Sequence, residues 1–150
     1  MLRIRELRLR VICHATEDEE KVRHAVGNVL SPGLADSFNI SRQSLSGHYG
    51  DPLILYRFES KSGTQATKAV QAVLGAMTPQ DKAAALESWK SGIGSKVWRK
   101  DRIYLRFDKQ MAYGRILKDG EFDSIRIEVR LSGVNKGDIE DLLLEGGSHA

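Results

Sequence analysis

The segment Leu7-Arg8-Leu9-Arg10-Val11-Ile12-Cys13-His14-Ala15-Thr16-Glu17-Asp18-Glu19-Glu20-Lys21-Val22 decides the fold. Leu7, Leu9, Val11 and Cys13 alternate with Arg8, Arg10 and Ile12, the period-two pattern of a strand with one buried face. Two arginines therefore project from its other face. Thr16, followed three residues later by Glu19, reads as a capping box at a helix start. Acidic side chains in that first turn also suit the positive end of the helix dipole. Val22, Ala25, Val26, Val29 and Leu30 then fall at amphipathic-helix spacing, and Ser31-Pro32-Gly33 stops the run.

Working outward, Phe38 and Ile40 suggest a short polar edge strand, and 46–52 (Ser-Gly-His-Tyr-Gly-Asp-Pro) is a turn cluster. Leu53 to Glu59 reads as a buried strand. Ala66, Ala69, Val70, Val73, Leu74 and Met77 repeat the helical spacing. Thr78-Pro79 then opens another helix, with Thr78 as cap and Pro79 in the first turn, where its missing N–H costs nothing. That helix turns Ala83, Leu86 and Trp89 inward and ends before Gly92 or Gly94. Ile103, Leu105 and Phe107 alternate with Tyr104 and Arg106. Asp108 is placed to cap a turn closed by Gly114. Ile125, Ile127, Val129 and Leu131 alternate with Arg126, Glu128 and Arg130 in the last strand. Asn135 caps a short acidic helix over 135–145, with 146–150 fraying. Strands with one greasy face and amphipathic helices to cover it predict a single α+β domain: an antiparallel or mixed β-sheet with helices packed on one face.

The chain has 150 residues, 41% hydrophobic and 29% charged, with one Cys. That suits one domain with a sizeable core and is too apolar for general disorder. The mean hydropathy of −0.36 and the absence of a long apolar run argue against a membrane span. The charged N-terminus is unlike a signal peptide, and a lone cysteine builds no disulfide framework, so the cytoplasm is the expected compartment.

Net charge is only +3, but it is unevenly spread: residues 90–118 carry nine basic side chains (Lys96 among them) against two acidic ones, and 119–150 carry three against eight. A concentrated basic stretch makes a local positive field, for which nucleic-acid phosphate is the usual partner. The same run also fits an ordinary solvated surface. Arg8, Arg10, Tyr104, Arg106, Arg126 and Arg130 all lie opposite the apolar residues of their strands. If the strands are neighbours, the uncovered face presents arginines around a tyrosine, able to pair with phosphate and stack on bases. The competing expectation is that Glu6, Glu128 and other carboxylates neutralise them in cross-strand pairs.

Catalytic signatures are absent: no HExxH, CxxC or GxSxG, and no lysine follows the Gly47–Gly50 loop as in a phosphate-binding loop. Cys13 falls on the buried face, like a small core residue. A hydrolytic site would need His14 and His48 to meet near Asp18 or Asp51. No metal or cofactor is called for.

Three segments together resemble a known family: 14–22 (His-Ala-Thr-Glu-Asp-Glu-Glu-Lys-Val), 47–52 (Gly-His-Tyr-Gly-Asp-Pro) and 105–114 (Leu-Arg-Phe-Asp-Lys-Gln-Met-Ala-Tyr-Gly). They look like an archaeal RNA-binding family described as a predicted exosome subunit, similar in fold to ribosomal protein L5. The resemblance spans about 2–131. It implies a ribosomal protein L5-like domain over 1–131, an acidic C-terminal tail over 132–150, RNA as partner, exosome or ribosomal proteins as further partners, and no catalysis. Its motif positions fall on His14, Thr16, Glu17, Asp18, Gly47, Gly50, Pro52, Asp108 and Gln110. The second motif departs from the family's Gly-His-x-Gly-Asn-Pro at Asp51, whose charge disfavours phosphate contact by that loop. The candidate RNA-binding residues are Arg8, Arg10, His48, Arg102, Tyr104, Arg106, Lys109, Arg126 and Arg130. The alternatives are a protein-interaction subunit of a ribonucleolytic or ribosomal assembly and a small hydrolase using His14 and His48.

Overall fold

The computed structural model describes residues 1–92, 99–120 and 123–144. Lys96, Gly94 and the terminal residues 146–150 lie outside them. The elements are β1 (Arg3–His14), α1 (Glu19–Leu30), α2 (Pro32–Ala35), β2 (Asn39–Ser46), β3 (Pro52–Ser60), α3 (Gly63–Ala76), α4 (Pro79–Ser91), β4 (Arg102–Asp108), α5 (Lys109–Tyr113), β5 (Ser124–Ser132) and α6 (Lys136–Leu144). The strands form one antiparallel sheet in the order β2-β3-β1-β5-β4. This is the expected α+β domain.

Register explains the core. Leu9 lies opposite Phe58 on β3 and Ile127 on β5, and Ile127 lies opposite Leu105 on β4. Facing residues in an antiparallel ladder share a sheet face, so four strands contribute to one apolar layer. That layer joins Val26 and Leu30 of α1 with Ala69 and Val73 of α3 in a single buried cluster. Burying a side chain such as Leu7 or Leu9, each almost fully inaccessible, stabilises by about 1.5–3 kcal/mol. Ile139 and Leu143 of α6 are equally buried in this cluster, so residues 136–144 belong to the same domain core. Asn135 caps α6 as expected, its side-chain oxygen accepting the Asp138 N–H at 2.8 Å.

Several local expectations are corrected. The N-cap of α1 is Asp18, not Thr16, and its carboxylate accepts the Glu20 N–H at 2.9 Å. A turn closed by Glu17 N–H to the His14 carbonyl at 2.9 Å occupies Thr16 and shifts the helix start. The edge strand β2 runs eight residues rather than a short stretch and begins after Phe38, which is buried. Ala83 is exposed, while Leu86 and Trp89 do turn inward. Thr78 caps α4 and Asp108 caps α5 as expected.

Candidate nucleic-acid interface

The ladder that builds the apolar layer also aligns the other face. Arg57 of β3 lies opposite Arg10 of β1, Arg10 lies opposite Arg126 of β5, and Arg126 lies opposite Arg106 of β4. Four guanidinium groups thus form one row across four adjacent strands, spanning about 14 Å at the usual strand spacing. The next row reads Glu59, Arg8, Glu128 and Tyr104 from β3 to β4. Both rows and the Asp81, Ala84, Ala85 and Ser88 side of α4 line one groove of about 680 Å³. The open face is therefore bordered by a helix.

The expected cations divide into free and tethered groups. Among the described residues Arg10 and Arg126 are exposed and have no carboxylate partner. Among the described residues the Arg57 side chain hydrogen-bonds only to the neutral Gln43 side chain, at 3.0 Å. Arg106 is exposed and held to Asp119 at 3.2 Å. Arg130 pairs with Glu6 at 3.2 Å, and Arg8 stands 3.8 Å from the same carboxylate. The hydrogen bond from Arg130 holds the Glu6 carboxyl below its ordinary range, outweighing the opposing effect of burial, and the nearby Arg130 and Arg8 charges add to it. Arg102 is bound by Glu128 and is only partly exposed, which removes it from the accessible set. Tyr104 is 57% exposed on the same face.

Lys109 requires the clearest correction. Expected as a surface contact, it is buried, and its ammonium donates to the Ile12 carbonyl at 2.8 Å, Glu17 at 2.6 Å and Asp123 at 2.9 Å. All three donors are used inside the protein, so Lys109 is a clamp between β1 and α5. Glu17, expected as a helix-start residue, is its counter-ion and also accepts the His14 N–H at 3.0 Å. His14 lies 3.3 Å from Asp123. His14, Glu17 and Asp123 offer three ligand atoms within 4.8 Å of one another, but the Lys109 ammonium supplies the positive charge this cluster needs.

His48 sits exposed in the β2–β3 turn, its ring 4.8 Å from that of Tyr49. Its turn lies beyond the Ser46–Pro52 end of the ladder, five residues along β3 from Arg57, so His48 is not part of the arginine face. Among the described residues no hydrogen bond or ring contact joins His14 to His48, and neither Asp18 nor Asp51 enters the His14 cluster. Among the described residues the contacts that a His14–His48 hydrolytic site needs are not made. Gly47 and Gly50 shape the turn: Gly47 N–H donates to the Asp51 carbonyl at 2.6 Å, and Gly50 has φ +80°. Pro52 begins β3, and Gln110 is exposed on α5. Arg57 was missing from the sequence-based set. Its signal was its position between Tyr56 and Phe58, two inward aromatic residues of β3.

A family model described as RNA binding matches residues 6–131, and the chain belongs to that family. The chain is similar to the RNA-binding protein PAB1135 of Pyrococcus abyssi, 29% identical over 132 residues, covering 87% of this chain and 82% of that protein. It also resembles the uncharacterized protein MJ0213 of Methanocaldococcus jannaschii, 26% identical over 111 residues, 73% of this chain and 72% of that one. In fold it is similar to the crystal structure of SSO0741 from Sulfolobus solfataricus, with a TM-score of 0.72 at 22% identity, covering 93% of this chain and 98% of the other. Among the described residues no helix is long and apolar enough to cross a membrane.

Proposed function

We propose that this chain is a non-catalytic RNA-binding protein whose contact surface is the open sheet face, with Arg57, Arg10, Arg126 and Arg106 holding the phosphate backbone. The observation that carries the reading is the centre of the row, where Arg10 and Arg126 face each other without a carboxylate partner among the described residues. Like charges directly opposite in a ladder are unfavourable, and an external polyanion relieves them. Guanidinium forks pair bidentately with phosphate. That the polyanion is RNA is supported by family membership and by the name of the Pyrococcus relative. The sequence resemblance extends the reading to a ribosomal protein L5-like sheet and to association with RNA-processing machinery such as the exosome.

The test is a titration of fluorescently labelled RNA at rising NaCl. Affinity falls more than about tenfold between ~50 and ~200 mM salt in the wild type. Arg10→Glu with Arg126→Glu weakens binding without lowering helix or sheet content. A salt-independent affinity, or full affinity in the double variant, would overturn the assignment.

A further inference from the structure

We infer that the groove between α4 and the sheet is a nucleobase pocket, so that the ligand is RNA with unpaired bases; this rests on the RNA-binding reading above. The arginine row alone does not separate single strands from duplexes, because both offer phosphate. The neighbouring row does. Glu59 stands beside Arg8 with no ion-pair partner among the described residues, so a second phosphate backbone would be repelled there, whereas Glu128 on the other side of Arg8 is already held by Arg102. Carboxylates instead accept hydrogen bonds from the exocyclic amines of bases. Tyr104 lies opposite Glu128 and offers an exposed ring on which a base stacks. The floor is thus a cationic lane about 14 Å long, bordered by the Glu59 carboxylate, Arg8, the Arg102-bound Glu128 and the ring of Tyr104.

The wall supplies the room. Ala84 and Ala85 lie four and three residues before Ser88, about one turn, on the side of α4 that faces the sheet, and these small side chains help line a groove of about 680 Å³. That volume falls within the range of roughly 300–1,000 Å³ of pockets that enclose small ligands. A base that has left its stack can enter such a groove. A paired base presents neither face nor Watson–Crick edge, and double-stranded RNA is recognised instead by its shape and 2′-hydroxyls across a shallow groove. A helix standing over one cationic lane does not provide that kind of surface.

The test compares an unstructured, labelled RNA of about 12 nucleotides with the same strand annealed to its complement, at fixed salt, by fluorescence anisotropy. The single strand binds roughly tenfold tighter or more. Ala84→Trp fills the groove from an exposed helical position, so the fold is retained. It lowers single-strand affinity roughly tenfold and leaves duplex affinity unchanged. Tyr104→Ala produces a similar selective loss. Equal affinity for the duplex, or an unchanged single-strand affinity in both variants, overturns the pocket while RNA binding stands. Failure of the wild type to bind either RNA overturns the RNA-binding reading itself.

Discussion

Arg10 and Arg126 face one another directly across the β1–β5 ladder, and among the described residues neither is matched by a carboxylate. Directly opposed like charges destabilise a ladder by about 0.2–1 kcal/mol. Neutralising one of them therefore separates stability from function. Arg126→Gln raises the melting midpoint slightly or leaves it unchanged, while RNA affinity falls. The slope of log affinity against log salt becomes shallower by about 0.7 for one lost contact to a single strand. Thermal melts and the salt titration check the two halves, and a lower melting midpoint with intact affinity contradicts both.

Glu6, on the central strand β1, links the ion pairs of the sheet face to pH. Its folded-state pKa lies below the ordinary value of 4.5 because Arg130 hydrogen-bonds the carboxylate, aided by the Arg130 and Arg8 charges. The sign follows from linkage: a lowered carboxyl pKa contributes stability above the unfolded-state value and loses it as pH falls through the folded one. Glu19, held low chiefly by its hydrogen bond from Arg42 and then by Tyr56, adds to the same acid limb. Stability therefore declines below about pH 4.5. Glu6→Gln is less stable near neutrality and loses less on acidification than the wild type. It also frees Arg8 and Arg130, so RNA binding at neutral pH tightens. Parallel acid-side decline in the two proteins would sink the assignment.

Lys109 is the reverse case, a cation that serves the fold. Replacing it with Met takes the ammonium from the Ile12 carbonyl and leaves Glu17 with the His14 N–H but no ammonium counter-ion, at a cost of about 2–3 kcal/mol. Denaturant melts read this loss directly. RNA affinity per folded molecule remains unchanged, since the ammonium is turned inward. A marked fall in affinity with unchanged stability would restore Lys109 to the contact surface.

These contrasts show what local pattern carries. Strict alternation in β1, β4 and β5 made both sheet faces legible, and a cap needs only a few consecutive residues, so Thr78, Asp108 and Asn135 were readable. Arg57 was hidden because half-buried apolar residues, Leu53 to Leu55, precede it and blur the period of β3. Lys109 was hidden because its partner Glu17 is 92 residues away, and a lysine beside a helix cap otherwise belongs at the surface. Which arginines are free was equally unreadable. The Glu6–Arg130 and Glu128–Arg102 pairs join neighbouring strands of the sheet and depend on register, including the shift between Ile4 and Glu6. The family resemblance pointed to RNA, but the continuous row emerges only when four strands are set side by side.

The edge of the row yields the last prediction. Arg106 is held by Asp119 at 3.2 Å, and both side chains are about half exposed. Such a surface pair contributes at most about 1 kcal/mol, so Asp119→Asn leaves the melting midpoint nearly unchanged. What it changes is competition. In the wild type a phosphate reaching Arg106 must displace the Asp119 carboxylate, and part of the binding free energy offsets that loss. With asparagine in its place, Arg106 meets the backbone unopposed, and affinity rises several-fold at low salt, the gain shrinking as salt screens the phosphate contact. The Arg106→Gln variant sets the opposite limit, with weaker binding and a shallower salt dependence. If Asp119→Asn and Arg106→Gln both bind RNA like the wild type, the phosphate lane ends at Arg126 and β4 contributes only the ring of Tyr104.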